Sequence, residues 1–400
     1  MLNQETIIYS LRNLKHRKSR SFLTLFSILI GIATIFIFIS FGYGLYNYTE
    51  EFSTGSSVNK IMITSKGTSM PGMDQTFKLT DDDLRAVDKA GGVYEATGAY
   101  FTTVQAEFNN ENKYVFLVAY DPKSKLLLEL FDIEADKGRF LRDGDTKKVF
   151  LGYNYQIPNK IFKKAIEIND IIKIDGVKMK VIGFFESIGS PQDDSQIYII
   201  NDYFEELYPN ITYAEIIAEV DTNNIDKVIQ NVERNLRKER NLEEGKEDFF
   251  VQSFDDLIES FSSVLNIIVG FVILIALISV IVSAVNTANT MITSVLERYK
   301  EIGVLKSIGA RNSEIFAIFL FESSFLGFVA GVLGVILGWL FSNIAGNILS
   351  NLGWGFLSPY YSTTLFVGCI LFATITGAIS GVAPAIKASK INIVNALRYE

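Results

Sequence analysis

The residues with the strongest case for chemistry form one short run: Glu297, Arg298, Tyr299, Lys300, Glu301, Ile302, Gly303, Val304, Leu305, Lys306, Ser307, Ile308, Gly309, Ala310 and Arg311. Acids, bases and aliphatics alternate there at helical spacing, between two long apolar stretches. Such a mixture recognises a surface and does not break bonds. Elsewhere the chain offers catalysis little. Its one cysteine, Cys369, and its one histidine, His16, cannot supply an internal disulfide, a zinc cluster or a Ser-His-Asp triad. No G-x-x-x-x-G-K-[ST] run occurs, so no phosphate-cradling loop is expected in this chain. We expect no catalytic residue, no metal ligand and no enzyme activity.

The elements that must position this run are membrane helices. Hydrophobic residues make up 48% of the 400, and four runs concentrate them: 22–46, 264–285, 315–344 and 365–386. Each reaches the roughly 20 residues that a helix needs to cross about 30 Å of hydrocarbon. The first run exceeds the roughly 7–15 apolar residues of a cleavable signal and lacks a small-x-small exit site, which predicts a retained anchor. Basic residues flank the spans on one side: Arg12, Lys15, Arg17, Lys18 and Arg20, then Arg298, Lys300, Lys306 and Arg311, then Lys387, Lys390 and Arg398. Ser350 to Thr364 carries no charge. Because basic residues in short loops stay inside, both termini and the central loop are expected in the cytoplasm of a multi-pass protein of the plasma or inner membrane.

Asn47 to Ser263 holds 25 of the 37 Lys and Arg and 39 of the 45 Asp and Glu. It is expected outside, as a solvated acidic domain, and its charge argues against nucleic acid, which demands a basic surface. Its pattern is α+β. Stretches 59–64, 112–120, 168–174, 178–185 and 196–200 are rich in Ile, Val, Tyr and Phe and bounded by turns such as Asp175-Gly176, which predicts strands. Thr80 with Asp83 forms a candidate helix cap, with Gly91 as the stop; Ile225, Val228, Ile229, Val232 and Leu236 follow helical spacing. Residues 108–211 read as an inserted subdomain. Ser253 and Asp256 offer a second cap, from which a helix would run straight into the second span.

Met291, Ile292, Val295, Leu296, Tyr299 and Ile302 recur at helical spacing, so the second span is expected to continue beyond the membrane as an amphipathic helix. Gly309 suits its stop, and Asn312 or Ser313 the cap of the next helix, with Glu314 in the first turn. Spacing alone leaves two readings open, a coupling element or an interfacial helix lying in the headgroups. Gly327, Gly331, Gly334 and Gly338 in the third span, and Ala373, Gly377 and Gly381 in the fourth, allow close helix packing either within the chain or against a second copy. Glu322 is the one acid inside a span; it suits snorkelling or a helix partner better than proton relay.

The run Arg298-Tyr299-Lys300-Glu301-Ile302-Gly303-Val304-Leu305-Lys306-Ser307-Ile308-Gly309-Ala310 resembles the R-x-x-E-I-G-x-L-K-A-x-G-A motif of the MacB/FtsX-like permease family of ABC transporters, departing mainly at Ser307. Leu11-Arg12-Asn13-Leu14, Lys18 to Thr24, Phe321-Glu322-Ser323 and the ending from Pro384 to Glu400 are similar as well. Lys137-Gly138-Arg139-Phe140, Val149-Phe150-Leu151-Gly152 and Val181-Ile182-Gly183 resemble the family's extracytoplasmic signature. The resemblance implies a MacB/LolC/LolE-type four-helix permease without a fused ATPase. Its parts are a basic N-terminus (1–21), span 1 (22–46), a MacB-like domain (47–263), span 2 (264–285), a coupling segment (286–314), span 3 (315–344), an outer loop (345–364), span 4 (365–386) and a tail (387–400). An FtsX-like permease domain would cover 264–390.

The resemblance further implies a separate P-loop ATPase that binds ATP and Mg, and a second permease copy or paralogue as dimer partner. Glu301, Lys306 and Arg311 would orient the ATPase contact and Ile302, Leu305 and Ile308 would fill its groove, with Glu297, Arg298, Gly303, Gly309 and Ala310 in the same coupling segment. Two functions follow: export or extraction of a lipophilic or peptide substrate by mechanotransmission, or regulation of an extracytoplasmic protein without transport. An extracytoplasmic adaptor or substrate protein is a further candidate partner.

Overall fold

The computed structural model describes residues 18–53, 59–66 and 78–398; Arg12, Lys15, His16, Arg17 and the terminal Tyr399-Glu400 lie outside them. The chain divides into two units. One comprises Met1–Leu45, Val264–Ile348 and Leu357–Glu400, the other Tyr46–Ser263 and Leu349–Phe356.

The second unit is the α+β domain. Its elements after α1 (Lys18–Ser53) are β1 (Lys60–Ser65), α2 (Asp81–Asp88), β2 (Val93–Phe108), β3 (Glu111–Tyr120), α3 (Leu126–Leu130), β4 (Ala135–Gly138), β5 (Lys148–Leu151), β6 (Ile171–Ile174), β7 (Val177–Phe185), β8 (Ile197–Ile200), α4 (Asn201–Leu207), β9 (Glu215–Val220), α5 (Ile225–Arg240) and β10 (Phe249–Ser253). The strands join in the order β10-β1-β9-β2-β3-β8-β5-β7-β4, with β6 paired to β2 and β7. Two cores share this path. In the first, β10, β1, β9 and the start of β2 are covered by α2 and α5, whose Val87, Val228, Val232 and Leu236 meet Ile61, Ile63 and Ile216. Thr80 and Asp83 close the cap of α2 as expected, each side chain accepting from the other's backbone N–H. The buried Asp83 also takes two hydrogen bonds from Arg240 at the end of α5, at 2.8 and 2.7 Å.

The second core gathers β3 to β8 and the remainder of β2 around Leu117, Val149, Phe150, Phe185 and Ile199. β2 belongs to both cores: residues 93–99 pair with β9 and residues 100–108 with β3. The changeover therefore falls near Tyr100, earlier than the sequence boundary at Phe108, because a 16-residue strand bridges the two cores without a break. The three signature stretches come together here. Val149 pairs with Val181 in parallel, and Gly138 with Gly183 in antiparallel. Gly138 sits at φ +84°, and a Cβ there would meet the carbonyl of Ile182, so two requirements fall on one residue.

Among the described residues, the membrane unit is built on four helices long and apolar enough to cross a bilayer: α1, α6 (Phe254–Glu297), α8 (Asn312–Asn351) and α9 (Thr363–Ser389). Between and after them lie α7 (Tyr299–Ser307) and α10 (Ile393–Arg398). All four predicted apolar runs fall within these helices. α6 follows β10 directly, because Asp256 N–H donates to Ser253 Oγ at 3.0 Å while Ser253 N–H donates to Asp256 Oδ2 at 3.2 Å. This reciprocal cap satisfies first-turn donors and starts the helix ten residues before the apolar run.

The small residues of α8 divide between two neighbours inside the chain. A Cβ at Gly327 would lie 2.5 Å from Ala373 O, and one at Gly331 2.8 Å from Ala373 Cβ, so this end of α8 meets α9 backbone to backbone. Gly334 and Gly338 turn instead to α1, at 2.9 Å from Leu29 O and 3.0 Å from Phe36 Cβ. On α9, Gly377 faces Ser323 O at 2.6 Å and Gly381 faces the Ser323 side chain. Lipid tails supply no hydrophobic drive between helices, so close backbone approach is what gains contact area. Ile28, Ile32 and Phe36 pack with Ala330, Val335, Leu365 and Cys369 in the same seam.

Candidate functional site

The charged run between the second and third spans folds into one helical turn-back. α6 ends at Glu297, and Arg298 leaves helical geometry at φ −103°, ψ 18° before α7 begins. The unbroken amphipathic extension expected from the sequence is thus interrupted by one residue. The Arg298 side chain is buried: Nη1 reaches Glu322 Oε2 at 3.2 Å, Nε reaches Glu301 Oε2 at 3.2 Å, and the guanidinium lies 5.1 Å from the centre of the Phe319 ring. Glu322, the one acid inside a span, therefore has a buried cationic partner, which satisfies it without snorkelling.

Gly309 closes α7. Its φ is +105°; its N–H donates to Lys306 O at 3.1 Å, and Ala310 N–H donates to Leu305 O at 3.0 Å. This pair of bonds is the Schellman arrangement, which requires left-handed backbone at the residue after the cap. The next helix starts one residue earlier than the expected caps. Arg311 O accepts from Ile315 N–H at 3.2 Å and Arg311 N–H donates to Glu314 Oε2 at 2.9 Å, so Arg311 holds the cap position in place of Asn312 or Ser313. Glu314 works from the first turn, where a carboxylate is favoured.

One face of α7 is turned inward. Ile302 packs with Met291, Val295, Ile315, Phe319, Ala388 and Ala396. Gly303 is buried because a Cβ there would lie 2.6 Å from Ala396 Cβ on α10. Lys306 Nζ donates to Ser389 O at 2.9 Å and to Ile391 O at 2.7 Å, tying α7 to the end of α9. Ile302 and Leu305 were expected to fill a partner's groove together with Ile308, and Lys306 to orient that contact. Instead Ile302 is buried and Leu305 half-buried against the chain's own helices, and Lys306 caps an internal helix end, because the inward face must cover the core that α8 and α9 share at this end.

What faces outward is a different set. Ile308 is 77% exposed and Val304 48%; Glu297, Lys300, Glu301, Ser307, Gly309 and Arg311 are exposed beside them. Val304 and Ile308 are four residues apart at the end of one helical face. Val304 stands outside the expected groove set of Ile302, Leu305 and Ile308. Gly303 lies against Ala396, which turns the neighbouring Val304 to solvent.

A four-helix membrane unit with a charged turn-back between its second and third spans, carrying an α+β domain between its first and second, defines a transporter-type permease fold. Residues 273–393 match the FtsX-like permease C-terminal family model and residues 21–235 the MacB-like periplasmic core domain model. The chain belongs to this MacB/FtsX-type family of ABC transporter permeases and is a multi-pass membrane protein. It is 32% identical over 399 residues to an uncharacterized ABC transporter permease, MJ1507, of Methanocaldococcus jannaschii, covering 99% of this chain and 98% of the relative. It is 24% identical to the uncharacterized ABC transporter permease YknZ of Bacillus subtilis, covering 99% of each. It is 25% identical to the macrolide export ATP-binding/permease protein MacB of Wolinella succinogenes, where 99% of this chain spans 61% of the relative.

Proposed function

We propose that this chain couples ATP hydrolysis by a separate P-loop ATPase to movement of its α+β domain, and so exports or extracts a lipophilic or peptide substrate by mechanotransmission. The observation that carries the reading is the outward face of the turn-back. Val304 and Ile308 stand exposed between Glu301, Lys300 and Arg311 on an element whose other face is fixed by Ile302, Gly303 and Lys306. An apolar pair ringed by charge suits a protein groove better than headgroups, because Lys300, Glu301 and Arg311 are of mixed sign. ATP and Mg would be held by the partner. The basic flanks support a cytoplasmic position for this face and both termini, with the α+β domain outside.

Two further features support this reading. α6 is 44 residues long, about 66 Å at 1.5 Å per residue, which is more than a bilayer crossing needs. Its most apolar stretch is 6% buried within the chain, against 33–39% in the other three helices, which leaves a face for a second permease copy. The test is co-purification from the native membrane. Wild-type protein should bring a P-loop ATPase with it, and Glu301→Arg and Ile308→Glu should lose that ATPase while still inserting. Retention of the ATPase by both variants refutes the assignment of this face.

A further inference from the structure

A second site lies in the α+β domain. A cavity of about 450 Å³ opens where β2, β8 and β9 meet the first turns of α6, lined by Tyr100, Phe101, Phe131, Tyr198, Phe254 and Ile258. That volume lies within the range of pockets that enclose small organic ligands. Two acids, Glu215 and Asp193, also line it. Glu215 opens β9, where strand alternation sets it on the same side as Ile217 of the second core, away from Ile216 and Ala218 of the first. An acid at that position is costly unless it is answered.

Nothing among the described residues answers it. Among the described residues no hydrogen bond or ion pair reaches the Glu215 side chain, and burial alone pushes its carboxyl up to about 7. The charged and titratable groups on the surrounding elements are engaged elsewhere. Lys60 of β1 pairs with Glu129 at 3.3 Å. The Tyr100 hydroxyl donates to Glu205 at 2.7 Å and the Tyr198 hydroxyl to Gln196 at 2.8 Å. Gln196 in turn donates to Asp193 at 2.9 Å, Tyr48 donates to Ile188 O at 3.5 Å, and Asp256 is used by the cap of α6. Asp193 is itself raised by burial. The cavity therefore combines aromatic faces, an apolar floor and an acid that lacks a cation.

We propose that this cavity binds a hydrophobic organic amine, with its ammonium on Glu215 and its apolar body among Tyr100, Phe101 and Phe254. Aromatic faces beside a carboxylate attract a cation twice, through the ring quadrupole and through the charge. A neutral ligand of the same shape gains the apolar contacts alone and leaves the acid buried. Occupancy by the amine ionises Glu215, so binding strengthens as pH rises towards 8 while the amine remains protonated. The site goes beyond the coupling reading and does not depend on it, since it is a property of the α+β domain.

The test uses the full chain in phosphatidylcholine nanodiscs and equilibrium dialysis of 2-(1-naphthyl)ethylamine, with 2-(1-naphthyl)ethanol as the neutral isostere. Empty discs measure partition into lipid. Saturable binding of about one amine per chain at pH 8 is expected, about tenfold tighter than the alcohol. Glu215→Gln should remove that preference and its pH dependence, and Ile258→Trp, which fills the cavity, should weaken both ligands. Equal affinity for amine and alcohol, an unchanged Glu215→Gln variant, or no binding above that of empty discs overturns the proposal. Glu301→Arg should bind the amine like wild type, so failure of this site and failure of the ATPase contact are read separately.

Discussion

Replacing Glu215 by Gln should stabilise the α+β domain, and the gain should depend on pH in a defined way. An unfolded glutamate ionises near 4.5, whereas burial in the folded domain raises Glu215 to about 7. Folding therefore favours the protonated form. Below 4.5 both states hold the proton and the group contributes nothing to the difference. Between 4.5 and 7 the unfolded chain loses its proton while the folded one keeps it, so stability falls as pH rises; above 7 the penalty is constant. A displacement from 4.5 to about 7, at 1.36 kcal/mol per pH unit, amounts to about 3 kcal/mol. Gln carries no charge, and its amide has a polar burden comparable to that of the neutral carboxyl. The variant should match wild type at pH 4.5 and exceed it by about 3 kcal/mol at pH 8. Amide hydrogen exchange of β1, β2 and β9 in nanodiscs, with both proteins compared at each pH, reads this as roughly a hundredfold slower exchange at pH 8. Equal exchange at pH 8, or a gap of the same size at pH 4.5, would refute the assignment of a buried, unanswered acid.

Gly303→Val should force α7 from α10, costing about 1–3 kcal/mol through overpacking at Ala396, and Ala396→Gly in the same chain should restore most of the loss; thermal denaturation of the detergent-solubilised protein ranks the three. Gly138→Ala meets both the left-handed backbone and the Ile182 carbonyl, so it should cost about 2–4 kcal/mol and make the β4-β7 edge sensitive to protease. Asp145 is buried, which alone would raise its pKa, but hydrogen bonds from Arg139, Lys148 and the Arg142 N–H outweigh burial and hold it well below the usual carboxylate value of 3.8. Its contribution is thus present above that value and lost only as pH falls below it. Asp145→Asn should weaken the β4-β5 connection at pH 7 by about 1–2 kcal/mol and remove that acid sensitivity, as followed by tyrosine fluorescence from pH 7 to pH 2.

The parts legible in the sequence were those set by local rules. The four spans follow from length and apolar content, and the Thr80-Asp83 and Ser253-Asp256 caps follow from three-residue spacing that reciprocal hydrogen bonding requires. Gly309 was legible as a stop because few residues other than glycine tolerate φ +105°. Strands β2, β4, β5, β9 and β10 were not called. β2 mixes Glu95, Thr97, Thr102 and Gln105 into its run and changes partners midway, so no single alternation describes it. β9 hides its signal because Ile216, Ile217 and Ala218 are buried on both faces, one for each core, which erases the period of two. The partner of Glu322 was also hidden. Arg298 lies 24 residues away at the break between α6 and α7, and that break turns it inward.

The division of the turn-back into two faces bears on how force could pass through it. If the partner contact were made by Ile302, Leu305 and Ile308 together, binding would have to strip α7 from its own core, exposing Met291, Val295 and Phe319. Burying three aliphatic side chains gains roughly 1.5–3 kcal/mol each, but Ile302 and Leu305 would first have to leave the chain's own core and bare its apolar lining, so such a contact would gain little. With Val304 and Ile308 as the contact, no internal packing is lost. The inward side then serves as a clamp: Arg298 holds α8 through Glu322, Lys306 holds the end of α9, and Gly303 holds α10. In the proposed coupling, a load applied at Ile308 would reach all three helices through these contacts. In the coupling reading, this is why the segment is charged on one side and close-packed on the other. The Arg298-Glu322 pair fixes the corner at which α6 stops and α7 begins, where an apolar contact of similar size would tolerate rotation.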